Sequence, residues 1–313
     1  EPLRWYYHCD RLGMLVWQDM VSCFERFHPL TMQVLPFAGI RLKDAPSAKF
    51  GRAGQAGRGQ YEADLAATVE LLRNCVSLAL WVPFNEGWGQ FDALRITEKL
   101  RALDPTRPVD HASGWHDQGG GDLRSYHIYY RPVRLKNDGR RVLALTEFGG
   151  YSLPLPGHYT TDRRFGYRTY KNADAWMDAL ERLYTREVLP QIAAQGLSAA
   201  VYTQLSDVED EVNGLLTFDR RVCKADAARM LEINRKMRFY VGYFSTHCSS
   251  SSRNSPGTPR MPTVRELKIF SPSAIPVTPP VRFSSHSAPK PSTELMSTRS
   301  ATFSGAEKSL TQA

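Results

Sequence analysis

The feature that most constrains this chain is a series of short, continuous apolar runs. The clearest are Met14-Leu15-Val16-Trp17, Leu78-Ala79-Leu80-Trp81-Val82, Val142-Leu143-Ala144-Leu145 and Ala199-Ala200-Val201-Tyr202. Two weaker runs are Pro108-Val109-Asp110-His111 and Ser125-Tyr126-His127-Ile128-Tyr129. They are unbroken rather than alternating, as in strands of a parallel sheet covered on both faces. Helical patterns lie between them. Leu65, Val69 and Leu72 recur at helical spacing, and Ala93, Ile96, Leu100 and Leu103 line one face before Asp104-Pro105. Trp176, Leu180, Leu183 and Glu187 form a further stripe, which Pro190 is expected to kink or end and Gly196 to close. Strand-helix alternation implies an α/β fold, and six strands in one run favour a (β/α)8 TIM barrel over an open sheet. Residues 28–60 hold no clear helix. Their glycines (Gly51, Gly54, Gly57, Gly59) match neither phosphate-binding spacing, so a flexible surface loop is expected.

Composition changes near residue 245. The predicted division is a barrel portion, 1–243, and a Ser/Pro-rich disordered tail, 244–313. The charge follows that division. After Thr246, eight basic residues stand against three acidic ones, so this stretch supplies +5 of the net +8. The rest of the chain is close to balanced. A solvated tail explains the excess better than nucleic-acid binding, for which no aromatic interleaving or known module is present. No apolar run nears the roughly 20 residues that cross a bilayer, and the N-terminus lacks the apolar stretch of a signal peptide. The five cysteines show no C-x-x-C spacing, which fits reduced thiols and a cytoplasmic compartment.

Two glutamates directly follow strand-like runs: Glu86 in Val82-Pro83-Phe84-Asn85-Glu86-Gly87-Trp88, and Glu147 in Leu145-Thr146-Glu147-Phe148-Gly149-Gly150. In a (β/α)8 barrel, strand C-termini build the active site. Two carboxylates facing each other there could cleave a glycosidic bond, one protonating the leaving oxygen and the other attacking the anomeric carbon or activating water. Asn85 is placed to donate to a sugar hydroxyl, and Trp88 and Trp115 to stack on sugar rings. Trp81, in mid-strand, reads as core. On the residues alone, either glutamate is equally an ordinary solvent-facing loop residue.

Several of these segments resemble glycoside hydrolase family 2, which includes β-galactosidases, β-glucuronidases and β-mannosidases. Arg4 to Met20 resembles its third-strand region. Trp81 to Phe91, reading WVPFNEGWGQF, resembles its acid/base motif, and Thr146 to Gly150 its nucleophile motif. Asp207 to Gly214 is similar to the segment after its last strand. The resemblance implies a retaining double displacement, with Glu147 as nucleophile and Glu86 as acid, then base. It also implies a carbohydrate substrate, a β-galactosidase-like activity, and chemistry that requires no metal or organic cofactor. Sugar contacts are implied for Asn85, His127 and Tyr129, and by location for Asp19, Trp115, His116 and Gln204.

The sequence also departs from the family. The domains that precede the barrel in family members are absent, Glu1-Pro2 matches a point after the second strand, and Cys75-Val76 stands where His-Pro is usual. About six of eight strands are therefore expected. The alternative reading is an inactive fragment or a carbohydrate-binding remnant.

Overall fold

The computed structural model describes residues 1–45, 47–160 and 162–248, all within the unit Glu1–Asn254. The chain opens with α1 (Leu3–Leu12), β1 (Val16–Asp19) and a short α2 (Leu35–Phe37). There follow α3 (Gln55–Leu72), β2 (Leu78–Val82), α4 (Ala93–Leu103), β3 (Leu123–Ile128) and β4 (Val142–Gly149). A two-residue pair, β5 (Tyr151–Ser152) with β6 (Arg168–Thr169), precedes α5 (Ala173–Arg182), α6 (Leu189–Gln195), β7 (Leu197–Thr203) and α7 (Ala227–Cys248).

The fold is mixed α/β, and every named strand pair is parallel. β1 pairs with β2, and β3 with β4, which pairs in turn with β7. The Pro108–His111 run forms no regular strand. It joins β2 through single parallel bridges, Trp81 to Val109 and Asn85 to Ser113, while Asp122 N–H donates to the Val109 carbonyl at 2.8 Å. The six runs thus follow one another in space in chain order. Among the described residues, β1 and β7 are each paired on one side only, so the expected barrel is not closed. One face is nonetheless shared by β1, β2, β3, β4 and β7. Leu80, Val82, Leu123 and Ala144 form a buried cluster, with Trp17 and Ala199 packed against it.

The helices cover the other face through the stripes the sequence shows. Ile96 and Leu100 are buried on α4, and Leu65, Val69 and Leu72 on α3. The Asp44 carboxylate accepts the Ala93 N–H at 2.8 Å, satisfying a donor that the helix start leaves unpaired. On α5, Asn172 caps the first turn and Trp176 and Leu180 are fully buried, contributing about 1.5–3 kcal/mol for a side chain such as Leu180. Trp81 is core, as predicted, with its indole N–H donating to Asp104 at 2.9 Å.

Three local expectations are corrected. Pro190 does not break the helical run. A π-helical stretch, Leu183–Val188, carries the chain into α6, where Pro190 occupies the first turn and needs no hydrogen-bond donor. Residues 28–60 are not a loop throughout. A π-turn (Leu30–Val34), α2, a 3-10 turn (Ser47–Phe50) and the start of α3 lie there, and Gly57 and Gly59 are helical. Tertiary contacts hold this segment: Glu25 accepts the Gly54 N–H at 3.1 Å, and buried Arg52 lies 4.6 Å over the Tyr61 ring. Helix α7 runs five residues past the expected boundary at 243; the remainder of the predicted tail, 249–313, lies outside the described residues. No helix among the described residues is long and apolar enough to cross a membrane.

Candidate active site

Glu86 and Glu147 reach one place by different backbone routes. Glu86 leaves β2 on a turn whose backbone is left-handed at Glu86 (φ 53°) and Gly87 (φ 76°). For glutamate this conformation costs on the order of 1–3 kcal/mol. A side chain at position 87 would strike the His116 ring at 2.6 Å, so only glycine fits. Glu147 lies within β4. There the β3–β4 register slips, so that Tyr126 pairs with Leu145 but His127 pairs with Glu147. Such an irregularity re-aims side chains, and here it sets His127 beside Glu147.

His127 joins the two carboxylates. Its Nδ1 lies 2.8 Å from Glu86 Oε1 and 3.4 Å from Glu147 Oε2. One ligand atom each from Glu86, His127 and Glu147 lies within 4.8 Å of the others. Burial alone would lower the imidazole pKa, but the charge of Glu147, with the charge and hydrogen bond of Glu86, raises it to about 9. Its Nε2 meets Ser113 Oγ at 3.1 Å, and Ser113 donates onward to Thr146 at 3.0 Å. Gly114 packs so close that a Cβ would lie 2.3 Å from the His127 ring. The ring is thereby fixed in place.

Glu147 is raised in pKa, first by burial and then by Glu86. His127 and hydrogen bonds from Tyr129 and Asn85 oppose that rise. The Tyr129 hydroxyl donates to Glu147 Oε2, and its ring stacks on Tyr167 at 3.7 Å and 2°. Burial and the charge of Glu147 push the Tyr129 hydroxyl well above the usual phenol range, so it stays a donor.

These groups open onto a cavity of about 920 Å³. Of the sequence-predicted residues, Asp19, Asn85, Glu86, Trp88, Trp115, Tyr129, Glu147 and Gln204 line it. His127 does not. Its side chain is fully buried behind the glutamates and borders an adjoining pocket instead. His116 is also withdrawn: it is buried, Nε2 lies 2.9 Å from the Thr31 carbonyl, and its ring underlies the Gly87 turn. It supports the Glu86 turn rather than facing the cavity. Trp88 stands at the rim, 40% exposed, with its edge on Phe24. Gln204 donates to Glu211 and Asn213, each at 2.8 Å. Asp19 is an exposed residue, yet the cavity walls crowded around its carboxyl, and then the charge of Glu147, raise its pKa to about 7.

Sequence reasoning missed much of the wall. Phe37, Met32, Tyr130, Phe165, Tyr167 and Glu211 all line the cavity. Glu211 carried a faint signal, lying in the acidic segment Asp207 to Gly214. Phe37 and Tyr167 carried none, because irregular segments deliver them.

No family model matches the sequence, and no curated protein matches it. Solved structures do. An uncultured Clostridium sp. β-glucuronidase matches with 10% identity over 75% of this chain and 42% of that chain, at a TM-score of 0.49. A β-galacturonidase from Eisenbergiella tayi, bound to galacturonate, matches with 16% identity over the same shares, at 0.47. A β-D-glucuronidase from Dictyoglomus thermophilum matches with 14% identity over 59% of this chain and 36% of that chain, at 0.42. This chain spans less than half the length of each.

Proposed function

We propose that residues 1–243 are the catalytic portion of a retaining glycoside hydrolase of the family 2 type, cleaving terminal β-linked sugars by double displacement. The strand order fits six consecutive strands of a (β/α)8 barrel. Glu147 is the nucleophile and forms the glycosyl-enzyme. Glu86 protonates the leaving oxygen and then activates water. Asn85 and Tyr129 hold the Glu147 carboxylate, and the aromatic wall of Trp88 and Trp115 receives sugar rings. The family resemblance suggests a β-galactosidase-like activity.

One observation carries the reading. Carboxylate oxygens of Glu86 and Glu147 come within 4.8 Å at the floor of a sugar-sized cavity. Retaining enzymes hold their carboxyl groups roughly 5–5.5 Å apart, whereas inverting enzymes leave roughly 6.5–9.5 Å for a water. His127 lies between the two carboxylates, and its cationic ring opposes the burial that raises the Glu147 pKa.

The test is mechanism-based trapping. The protein is incubated with 2-deoxy-2-fluoro aryl β-glycosides and digested for mass spectrometry. The expected result is a glycosyl adduct on the peptide containing Glu147. An adduct on another carboxylate, or turnover that survives in Glu147→Gln, contradicts the assignment.

A further inference from the structure

We infer that this cavity selects sugars that carry no carboxylate, taking neutral or amino sugars and rejecting uronates, with Asp19 and Glu211 setting the preference. The inference rests on the glycosidase reading above and adds a substrate class to it.

The charged side chains lining the cavity are Asp19, Glu86, Glu147 and Glu211. Among the described residues no lysine or arginine lines it. The nearby cation, His127, is buried behind the glutamates, and both ring nitrogens are engaged, with Glu86 and with Ser113. Arg131 belongs to the adjoining pocket, beyond Tyr129 and Tyr130. Glu86 and Glu147 have a chemical task. Asp19 and Glu211 do not.

Those two differ in what holds them. Glu211 is fixed by Gln204 at 2.8 Å and Asn213 at 3.1 Å. Among the described residues the Asp19 carboxylate has no hydrogen-bond partner, so it is free to meet a ligand. The walls add rings and neutral amides, which suit uncharged sugar faces. A uronate would therefore bring a further carboxylate beside the charge of Glu147 and Glu211 and the partial charge of Asp19, in a partly desolvated space whose lining offers no lysine or arginine to pair it. An ammonium group would relieve the same excess. The raised pKa values of Asp19, Glu147 and Glu211 reflect burial and this mutual repulsion. Selection by repulsion needs no contact specific to the preferred sugar.

The test uses the full chain and three matched aryl β-D-glycosides: galactoside, 2-amino-2-deoxygalactoside and galacturonide. Turnover is read as kcat/KM. Binding of the corresponding methyl glycosides is read by ligand-observed NMR, which does not depend on turnover. Both readouts are expected to place the uronate about tenfold or more below the neutral and amino sugars at low salt. Asp19→Asn and Glu211→Gln should each narrow that gap severalfold, with folding checked by circular dichroism. A uronate bound or turned over as well as the neutral sugar, a gap unchanged in both variants, or no binding of any of the three overturns the inference. Uronate turnover that depends on Glu147 would overturn it while leaving the glycosidase reading intact. Turnover independent of Glu147, with the binding order as expected, would do the reverse.

Discussion

The two walls of the cavity are built differently. The strand-end wall holds Glu86, Glu147 and Tyr129, with the fully buried His127 imidazole behind them; hydrogen bonds join His127 to Glu86 and Tyr129 to Glu147, and an ion contact of 3.4 Å joins His127 to Glu147. The loop wall holds Phe37, Tyr130 and Phe165, which are 47%, 52% and 42% exposed and touch one another or their neighbours edge-on. One wall is rigid, polar and charged; the other is aromatic and open. Under the proposed function, the first wall is the one that carries chemistry and the second the one that carries recognition. A site that forms and breaks covalent bonds must fix its reacting groups, whereas rings that receive a ligand need only present their surfaces.

That contrast can be broken by mutation, and the largest effect belongs to the rigid wall. Glu147→Gln is expected to lower kcat for aryl β-glycosides on the order of 10⁴-fold or more, measured by single-turnover kinetics. Glu86→Gln should cost roughly 10²–10⁴-fold on substrates with poor leaving groups and far less on activated ones. An equal loss on both substrate types would break the acid assignment. Tyr129→Phe removes a hydrogen bond to a charged carboxylate, worth about 1.5–3 kcal/mol, so kcat should fall roughly 10- to 100-fold. The open wall answers differently. Phe37→Ala should raise KM a few-fold and leave kcat nearly unchanged, since the ring meets substrate and transition state alike. A kcat loss as large as that of Tyr129→Phe would erase the distinction between the walls.

The smallest effect is on stability. The folded His127 pKa, about 9, stands above the ordinary value of 6.5. The protonated ring therefore stabilises the fold fully below about pH 6.5, and the contribution is lost as pH rises through about 9. The Tm difference between the native chain and His127→Gln should shrink across that window. A constant difference would mean that the ring is held neutral.

The same division governs what the sequence reveals. Glu86 and Glu147 are legible because each directly follows a short apolar run, and Trp81 because it lies within one. Five of the six runs become strands with the parallel pairing the same local pattern predicts, and the Pro108–His111 run joins them only through single bridges. The slip that pairs His127 with Glu147 is not legible, since register between strands is a tertiary choice. Nor is the loop wall. Phe37 reaches the cavity through a π-turn and a single helical turn, with no periodicity to betray it. Gly57 reads as a loop residue because its helix is fixed from outside, by Glu25 at the helix start. His116 reads as a sugar contact because its neighbours suggest one, yet its ring is spent under the Gly87 turn.

Under the proposed function, Glu86 and Glu147 stand close enough for a double displacement. The most direct measurement is the configuration of the first-formed product, followed by proton NMR before the anomers equilibrate. Double displacement releases the β-anomer of the sugar first. First release of the α-anomer would mean single displacement by water and would contradict it.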